Sequence, residues 1–564
     1  MAENQFIDAA VDITKKADNL TFTENGAVSY KKISDSELAC QFGKAGSYFG
    51  RSMVEVSRDM EAIWEEDPTM AVRFIFYLRM ITRKVDNFKD GTTTDSVQNG
   101  QGLRDEPFKR LLWLAKNHPK AFNEVFYLLP MVGSWKDPWT LMYYDMKLEG
   151  EDTNWKSCLD YEAIFDVILI YMDLDKKSTT DLIRKFMPRI KSKSHLKTAR
   201  AKYMSGLAKA FVGYLNQRME KPISYGMYNK MKTIGTAHDF QKLITNQMYD
   251  KIDWNKIPGK ALLLLSTGNF ISNHNLEKSY MDWLKKQPTV KFNGYPFELA
   301  RRARDIDTSK KWMTYTIDKQ FEQLLEKVKG TEIKERIMCA LDTSGSMSVR
   351  IPQVNVSALD ICESLGIYFA SLVPGTFHDT VIMFDSTSHM RKLPDGGFCR
   401  KLNSIPCNAM GSTNFQSIID LMVKVRTEKP DIPMEDYPTT ILVVSDMQFN
   451  STGDYWATDT PKERESNINV CREKLKTVFP EDYAENLRFI WWDCTSRCSD
   501  SPDSNINNEK SNSLFLSGCD GSIISLILGN EVDEKGNIKR MSMDEVVLKA
   551  LSQEILTQIT DIKA

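Results

Sequence analysis

Few of the signatures that announce a chemistry are present in this chain. It has six histidines in 564 residues, and none belongs to an H-E-x-x-H pair, so the zinc-hydrolase helix is excluded. There is no G-x4-G-K-[ST] loop to cradle a nucleotide's phosphates, and no G-x-S-x-G elbow to present a nucleophilic serine. Charge of one sign is not in excess: 74 Lys and Arg stand against 76 Asp and Glu, a formal net charge of −2. Overall charge therefore announces neither nucleic acid nor a membrane surface, and any basic site must be a local patch. No uncharged apolar run approaches the roughly 20 residues of a membrane helix. The N-terminus "MAENQFIDAAVDITKK" lacks the basic and apolar regions of a secretory signal. A soluble protein with no membrane partner is expected, cytoplasmic, or nuclear where the host has a nucleus. The ten cysteines are scattered, and several lie in apolar runs. The closest pair, Cys494 and Cys498, has no histidine nearby to complete a zinc site. That usage points to reduced thiols.

A length of 564 residues implies two or three domains. The patterning changes near residue 330. Before it, apolar residues recur three and four apart in segment after segment, which predicts packed helices in a bundle or solenoid. "SELACQFGKAGSYFGRSMVEVSRDMEAIWEED" is one long segment of helical spacing, and "FKRLLWLAKNHPKAFNEVFYLLPMV" reads as two helices divided at Pro119. After residue 330, apolar strands such as "ERIMCALD", "TTILVVSD" and "LRFIWWDC" alternate with amphipathic helices. This predicts a doubly wound parallel sheet covered on both faces, with ligands beyond the strands' carboxyl ends. The expected fold class is α plus α/β, with a helical region over 1–330 and a sheet domain over 331–564. Two polar stretches, "FNSTGDYWATDTPKERESN" and "TSRCSDSPDSNINNEKSNS", follow strand ends and read as surface loops in the position of lids.

Three strand-end loops supply hard oxygen ligands. "CALDTSGSM" gives Asp342, Ser344 and Ser346, "GSTNF" gives Thr413, and "VVSDMQF" gives Asp446. Two carboxylates and three hydroxyls suit a divalent cation, Mg2+ or Mn2+, in oxygen coordination. The competing reading is local capping, with Asp342 and Thr413 starting helices.

This ordered triple, D-x-S-x-S then Thr then Asp on alternating strands and helices, resembles the metal-ion-dependent adhesion site of a von Willebrand factor A domain. By that resemblance Asp342, Ser344, Ser346, Thr413 and Asp446 form the metal site, and a protein partner completes the ion's shell. "MGSTNFQSIIDLMV", "VVSDMQF" and "FLSGCDGSIISLIL" further resemble an uncharacterised family related to the Ro autoantigen (TROVE) proteins. In the helical half, "YLRMITRKV", "GQGLRDEPFKRLLWLAKNHPKAF" and "LLPMVGSWKDPWTL" are similar to the Ro text of an arginine-containing helix, a glycine turn followed by Arg, and a G-x-W-x-D turn. "DGTTTDSVQNGQ" departs from the shorter turn of that family and reads as a disordered insert. The resemblance implies HEAT-like helical repeats before a von Willebrand A domain, and a non-catalytic ribonucleoprotein component that binds structured, non-coding RNA.

Residues 184 to 202, "RKFMPRIKSKSHLKTARAK", contain Arg184, Lys185, Arg189, Lys191, Lys193, Lys197, Arg200 and Lys202 without an acid. They are the candidate RNA-binding residues. A second basic cluster joins Arg301, Arg302 and Arg304 to Lys310 and Lys311. Trp135 and Trp139 could stack on bases, but a core role is the preferred reading. Gly100, Gly102 and Arg104 could approach a phosphate. No enzyme activity and no nucleotide are expected. The alternative function is a metal-dependent adhesion module or scaffold, for instance for an AAA+ ATPase, without RNA.

Overall fold

The computed structural model describes residues 14, 18–86, 93–151, 155–173, 183–231, 239–328, 333, 335–351, 354–405, 409–452, 465–505, 513–528 and 540–563. They form two compact units. One gathers Met1–Phe49, Gly259–Asn269 and Ser279–Ser552; the other gathers Gly50–Pro258, Phe270–Lys278 and Gln553–Ala564. The division expected at residue 330 is therefore not where the packing divides. Helices Pro296–Asp305 and Lys311–Glu326 precede 330 in sequence but pack on helix Ala358–Leu372 of the sheet unit. Composition reports the kind of secondary structure, not the surface that a helix covers.

The sheet unit has six strands: β1 (Ile337–Asp342), β2 (Thr380–Phe384), β3 (Ser388–Lys392), β4 (Thr440–Ser445), β5 (Arg488–Asp493) and β6 (Ser513–Ser517), in the order β6-β5-β4-β1-β2-β3. Every residue of β1, β4, β5 and β6 is buried. These are the continuous apolar runs of a sheet covered on both faces. The first five strands in that order are parallel, but β3 runs antiparallel to β2. The sheet is thus mixed, which corrects the all-parallel expectation. "SHMRK" gave no apolar signal because four of its five residues are exposed. A charged strand at an open edge also discourages pairing with another chain. The opposite edge is covered: helix Glu37–Lys44 and the 3-10 turn Ala45–Ser47 lie against β6, with the Ser517 hydroxyl donating to the Gly43 carbonyl at 2.7 Å.

The helical unit is built from Met53–Glu66, Pro68–Arg79, Glu106–Asn117, Asp137–Glu151, Tyr161–Asp173 and Ala199–Arg218, which pack as neighbours. The long segment of helical spacing from Ser36 holds two helices, Glu37–Lys44 and Met53–Glu66. Ser52 and Glu55 make a capping box that starts the second, and Gly50 sits at φ +66° between them. The break at Pro119 stands, between Glu106–Asn117 and Pro119–Val125. The supposed disordered insert contains a strand, Thr93–Gln98, paired antiparallel with Arg83–Asp86. Most of the first polar loop, residues 453–464, and residues 506–512 of the second lie outside the described residues. Among the described residues no helix is long and apolar enough to cross a membrane.

Candidate metal centre and basic surface

β1 and β4 are neighbours, with Leu341 paired to Val444, so Asp342 and Asp446 emerge side by side at their carboxyl ends. Both are buried. Asp342 is held on two sides: Oδ1 accepts the Ser344 N–H at 2.9 Å and Oδ2 accepts the Ser445 hydroxyl at 2.5 Å. The hydroxyls of Ser344 and Ser346 lie 3.0 Å apart. Asp446 accepts the Gln448 N–H on Oδ1 at 3.1 Å, and its Oδ2 is buried without a hydrogen-bond partner. Burial, followed by the charge of Asp446, pushes the Asp342 carboxyl above the usual range. Burial also raises Asp446, against hydrogen bonds from Gln448 and Ser346 and the nearby Arg497.

The loop carrying Thr413 is tied to the Asp342 loop. Met410 N–H donates to the Thr343 carbonyl at 3.0 Å, and Gly345 N–H to the Gly411 carbonyl at 3.2 Å. Thr413 is buried and clamped by Asn450, whose side chain accepts its N–H at 3.3 Å. The structure thus brings Asp342, Ser344, Ser346 and Asp446 into one cluster and sets the Thr413 loop against it. Asp342 does not simply cap a helix: one of its oxygens is spent on Ser445, across the sheet. Ser445 was missed at the sequence level, though it stands beside Asp446 in "VVSD".

Among the described residues no group of three or more His, Cys, Asp and Glu is placed to hold a metal ion. The cluster has two carboxylates, and its other donors are hydroxyls. That all-oxygen set fits a hard cation rather than zinc, and the unmatched Asp446 oxygen is the atom such an ion would satisfy.

The rim of this cluster includes a segment no motif indicated. The hairpin Leu20–Phe22 and Val28–Tyr30 places its tip on the chain after Asp446. Thr23 donates to the Phe449 carbonyl at 2.8 Å, Asn25 donates to the Gln448 carbonyl at 2.6 Å, and Glu24 pairs with Arg497 at 3.2 Å. Met410, 64% exposed, is an apolar side chain on the facing loop.

In the helical unit, Arg189, Lys191, Lys193, Lys197, Arg200 and Lys202 are exposed, while Arg184 and Lys185 are half-buried. Among the described residues no ion pair joins those six exposed cations to a carboxylate. Arg200 lies over the Tyr143 ring at 5.0 Å. Burial, with the charges of Arg200 and Arg104, holds the Lys136 ammonium below its ordinary range. Lys136 thus lies near Arg200 of the run and near Arg104, with the Asp137 carboxylate acting in the opposite sense. The second basic cluster belongs to the sheet unit, where Arg304 is bound by Asp360 and Glu363.

Other candidates are structural. Trp139 is fully buried, and Trp135 packs edge-on against Tyr171 with centroids 4.8 Å apart. In "GSWKD", Asp137 accepts Arg79 Nε at 2.7 Å and Nη2 at 3.1 Å. A Cβ on Gly100 would lie 2.5 Å from the Met80 carbonyl oxygen, so that glycine allows its loop to close the end of helix Pro68–Arg79.

The C-terminal part is thus an α/β domain with a hydroxyl-and-carboxylate cluster at its strand ends, and residues 336–560 match a family described as "Domain of unknown function (DUF7788)". Over 466 residues the chain is 23% identical to "Uncharacterized protein L728" of Acanthamoeba polyphaga mimivirus, covering 77% of this chain and 73% of that protein. The crystal structure of the Deinococcus radiodurans RO (RSR) protein aligns with a TM-score of 0.36 and 12% identity, over 87% of this chain and 98% of that one.

Proposed function

We propose that this protein binds RNA without catalysis through the Arg184–Lys202 surface. On the same reading its sheet unit is a von Willebrand A domain whose Asp342 cluster holds Mg2+ or Mn2+ and engages a protein partner. The observation that carries the RNA reading is the row of six exposed cations with no carboxylate partner among the described residues. A merely solvating face in a near-neutral chain would mix signs, as the Lys474–Asp420 pair does at 2.7 Å. The Ro-like text on both sides of the run supports the same reading. For the metal, support comes from the buried Asp446 Oδ2 beside the Ser344 and Ser346 hydroxyls. When bound, the ion supplies a positive centre for a partner's oxygen. Asp342, fixed by Ser344 and Ser445, would hold that ion together with the Ser344 and Ser346 hydroxyls.

Two measurements test this. Replacing Lys191, Lys193, Lys197 and Arg200 with Ala should weaken RNA binding whatever the sequence, and flatten its log–log salt slope by about 3. An unchanged slope makes the run a solvated face, and the adhesion reading without RNA then gains. In calorimetry, Asp342→Ala with Ser344→Ala should abolish Mn2+ and Mg2+ binding while leaving RNA affinity near that of the parent. Undiminished ion affinity in that variant sinks the metal site.

A further inference from the structure

The hairpin that joins Leu20–Phe22 to Val28–Tyr30 brings a carboxylate to the rim of the Asp342 cluster. Its turn is pinned to the chain that follows Asp446. Thr23 donates to the Phe449 carbonyl and Asn25 to the Gln448 carbonyl. The Glu24 N–H donates to Gln448 Oε1 at 2.7 Å, and the Ser451 N–H donates to the Asn25 carbonyl at 3.2 Å. Gln448 in turn donates its own N–H to Asp446. The Glu24 side chain takes no part in this pinning. It is 71% exposed and pairs with Arg497 at 3.2 Å. Arg497 lies in the loop after β5, and that loop is also tied to Asp446: the Ser499 hydroxyl donates to the Asp446 carbonyl at 3.1 Å. The charges of both side chains reach the Asp446 carboxyl, Arg497 lowering it and Glu24 raising it. A carboxylate on a fixed turn, held by an exposed ion pair, thus stands beside a buried aspartate with an unmatched oxygen.

We propose that Glu24 is a further ligand of the ion at this cluster: its carboxylate leaves Arg497 for the ion and closes the site until another carboxylate displaces it. The proposal rests on the metal reading of Asp342, Ser344, Ser346 and Asp446, and adds a residue from the opposite end of the chain. Mg2+ and Mn2+ take oxygen donors in near-octahedral geometry, and positions that the protein does not fill go to water. The donors already named all come from loops at the strand ends, and Glu24 is a carboxylate that the hairpin sets at their rim. Exposed ion pairs contribute little to stability, so Arg497 gives up Glu24 at small cost. The turn is fixed beforehand, so only one side chain loses freedom when Glu24 binds. Arg497 then has two parts. Without an ion it keeps Glu24 from crowding Asp446, a like charge. Once Glu24 is displaced, its guanidinium is free to meet the carboxylate that displaced it.

The test uses the full chain, Mn2+ as the probe ion and acetate as the probe carboxylate. In calorimetry Glu24→Gln should weaken Mn2+ binding about tenfold, because ligand charge sets affinity at oxygen sites. Water-proton relaxation should show an additional water on the Mn2+ of that variant. Acetate should bind the loaded variant more tightly than the loaded parent. Arg497→Gln should tighten Mn2+ binding and add no water. Both substitutions leave the bonds that pin the turn in place, and an unchanged thermal midpoint checks that the fold is kept. Weaker Mn2+ binding without an added water reduces Glu24 to a charge acting at a distance, and overturns it as a ligand. Unchanged affinity and water count in Glu24→Gln, with binding still abolished by Asp342→Ala with Ser344→Ala, also overturns it and leaves the metal reading standing. If that double variant binds Mn2+ as the parent does, or the parent binds none, the metal reading falls and Glu24's part falls with it.

Discussion

Asp137 and Asp446 are both buried aspartates in text that reads as functional, and their oxygens separate them. Asp137 has both oxygens matched: Oδ2 takes Arg79 Nε at 2.7 Å and the Ser134 N–H at 2.8 Å, while Oδ1 takes Arg79 Nη2 at 3.1 Å and the Ser134 hydroxyl at 3.0 Å. Nothing is left for a ligand, so "GSWKD" is a joint between the Pro68–Arg79 and Asp137–Glu151 helices. Asp446 keeps one oxygen unmatched at equal burial, which leaves it an acceptor that Asp137 does not have and is why it, not Asp137, is proposed as part of a site. Arg79→Ala strands a buried carboxylate, and should destabilise the fold by about 3–5 kcal/mol in urea unfolding. A loss below about 1 kcal/mol would show that the pair is not the joint described.

Glycines show the same contrast between elements. A Cβ on Gly46 would lie 2.0 Å from the Ser517 carbonyl oxygen, so the turn after helix Glu37–Lys44 meets the β6 backbone only because that side chain is missing. In helix Ala199–Arg218, nothing lies within 4 Å of a Cβ on Gly206. Gly46→Ala should cost about 1–3 kcal/mol. Gly206→Ala should instead stabilise by about 0.5–1 kcal/mol. Thermal midpoints moving in opposite directions would check both, and a tolerated Gly46→Ala would mean that the turn is free to lift off the edge. Elements with a strong pattern were legible in advance: the buried strands of "ERIMCALD", "TTILVVSD" and "LRFIWWDC", and the break at Pro119. Those without one were not. "LTF" and "VSY" are three residues long, and their hairpin is held by partners more than 400 positions away, Gly26 of its turn at Asn450 and Tyr30 at Ser501, and no local pattern carries that information. Asp342, Ser344, Ser346 and Asp446 could be picked out because hydroxyls and carboxylates at strand ends are rare as a set. Ser445, Asn450 and the Glu24–Arg497 pair could not, because their parts are set by tertiary neighbours.

At the scale of the whole chain, the composition break at residue 330 and the packing disagree, and the disagreement is testable. Residues 331–564 contain all six strands, yet the sheet unit also draws on Met1–Phe49 and on most of 259–330. Phe321 stacks on Phe398 with centroids 4.3 Å apart, and Asp318 accepts the Cys399 N–H at 2.9 Å. Lys44 pairs with Asp500 at 2.6 Å, and the Ser47 hydroxyl donates to the buried Asp493 at 3.0 Å. In the other direction, the last residues leave the sheet unit: Arg73 Nη2 donates to the Ile559 carbonyl at 2.9 Å, and Gln553 exchanges two hydrogen bonds with the Asn99 backbone. A fragment of 331–564 alone would expose the Phe398 face, leave the Asp493 carboxylate short of a donor, and open the β6 backbone as an unpaired edge. Open edges pair with one another. The fragment should therefore associate on size exclusion and lack a cooperative thermal transition, whereas the full chain melts cooperatively. A monomeric fragment with a sharp melt would restore the boundary at 330 and reduce the N-terminal contacts to ornament on a self-sufficient sheet.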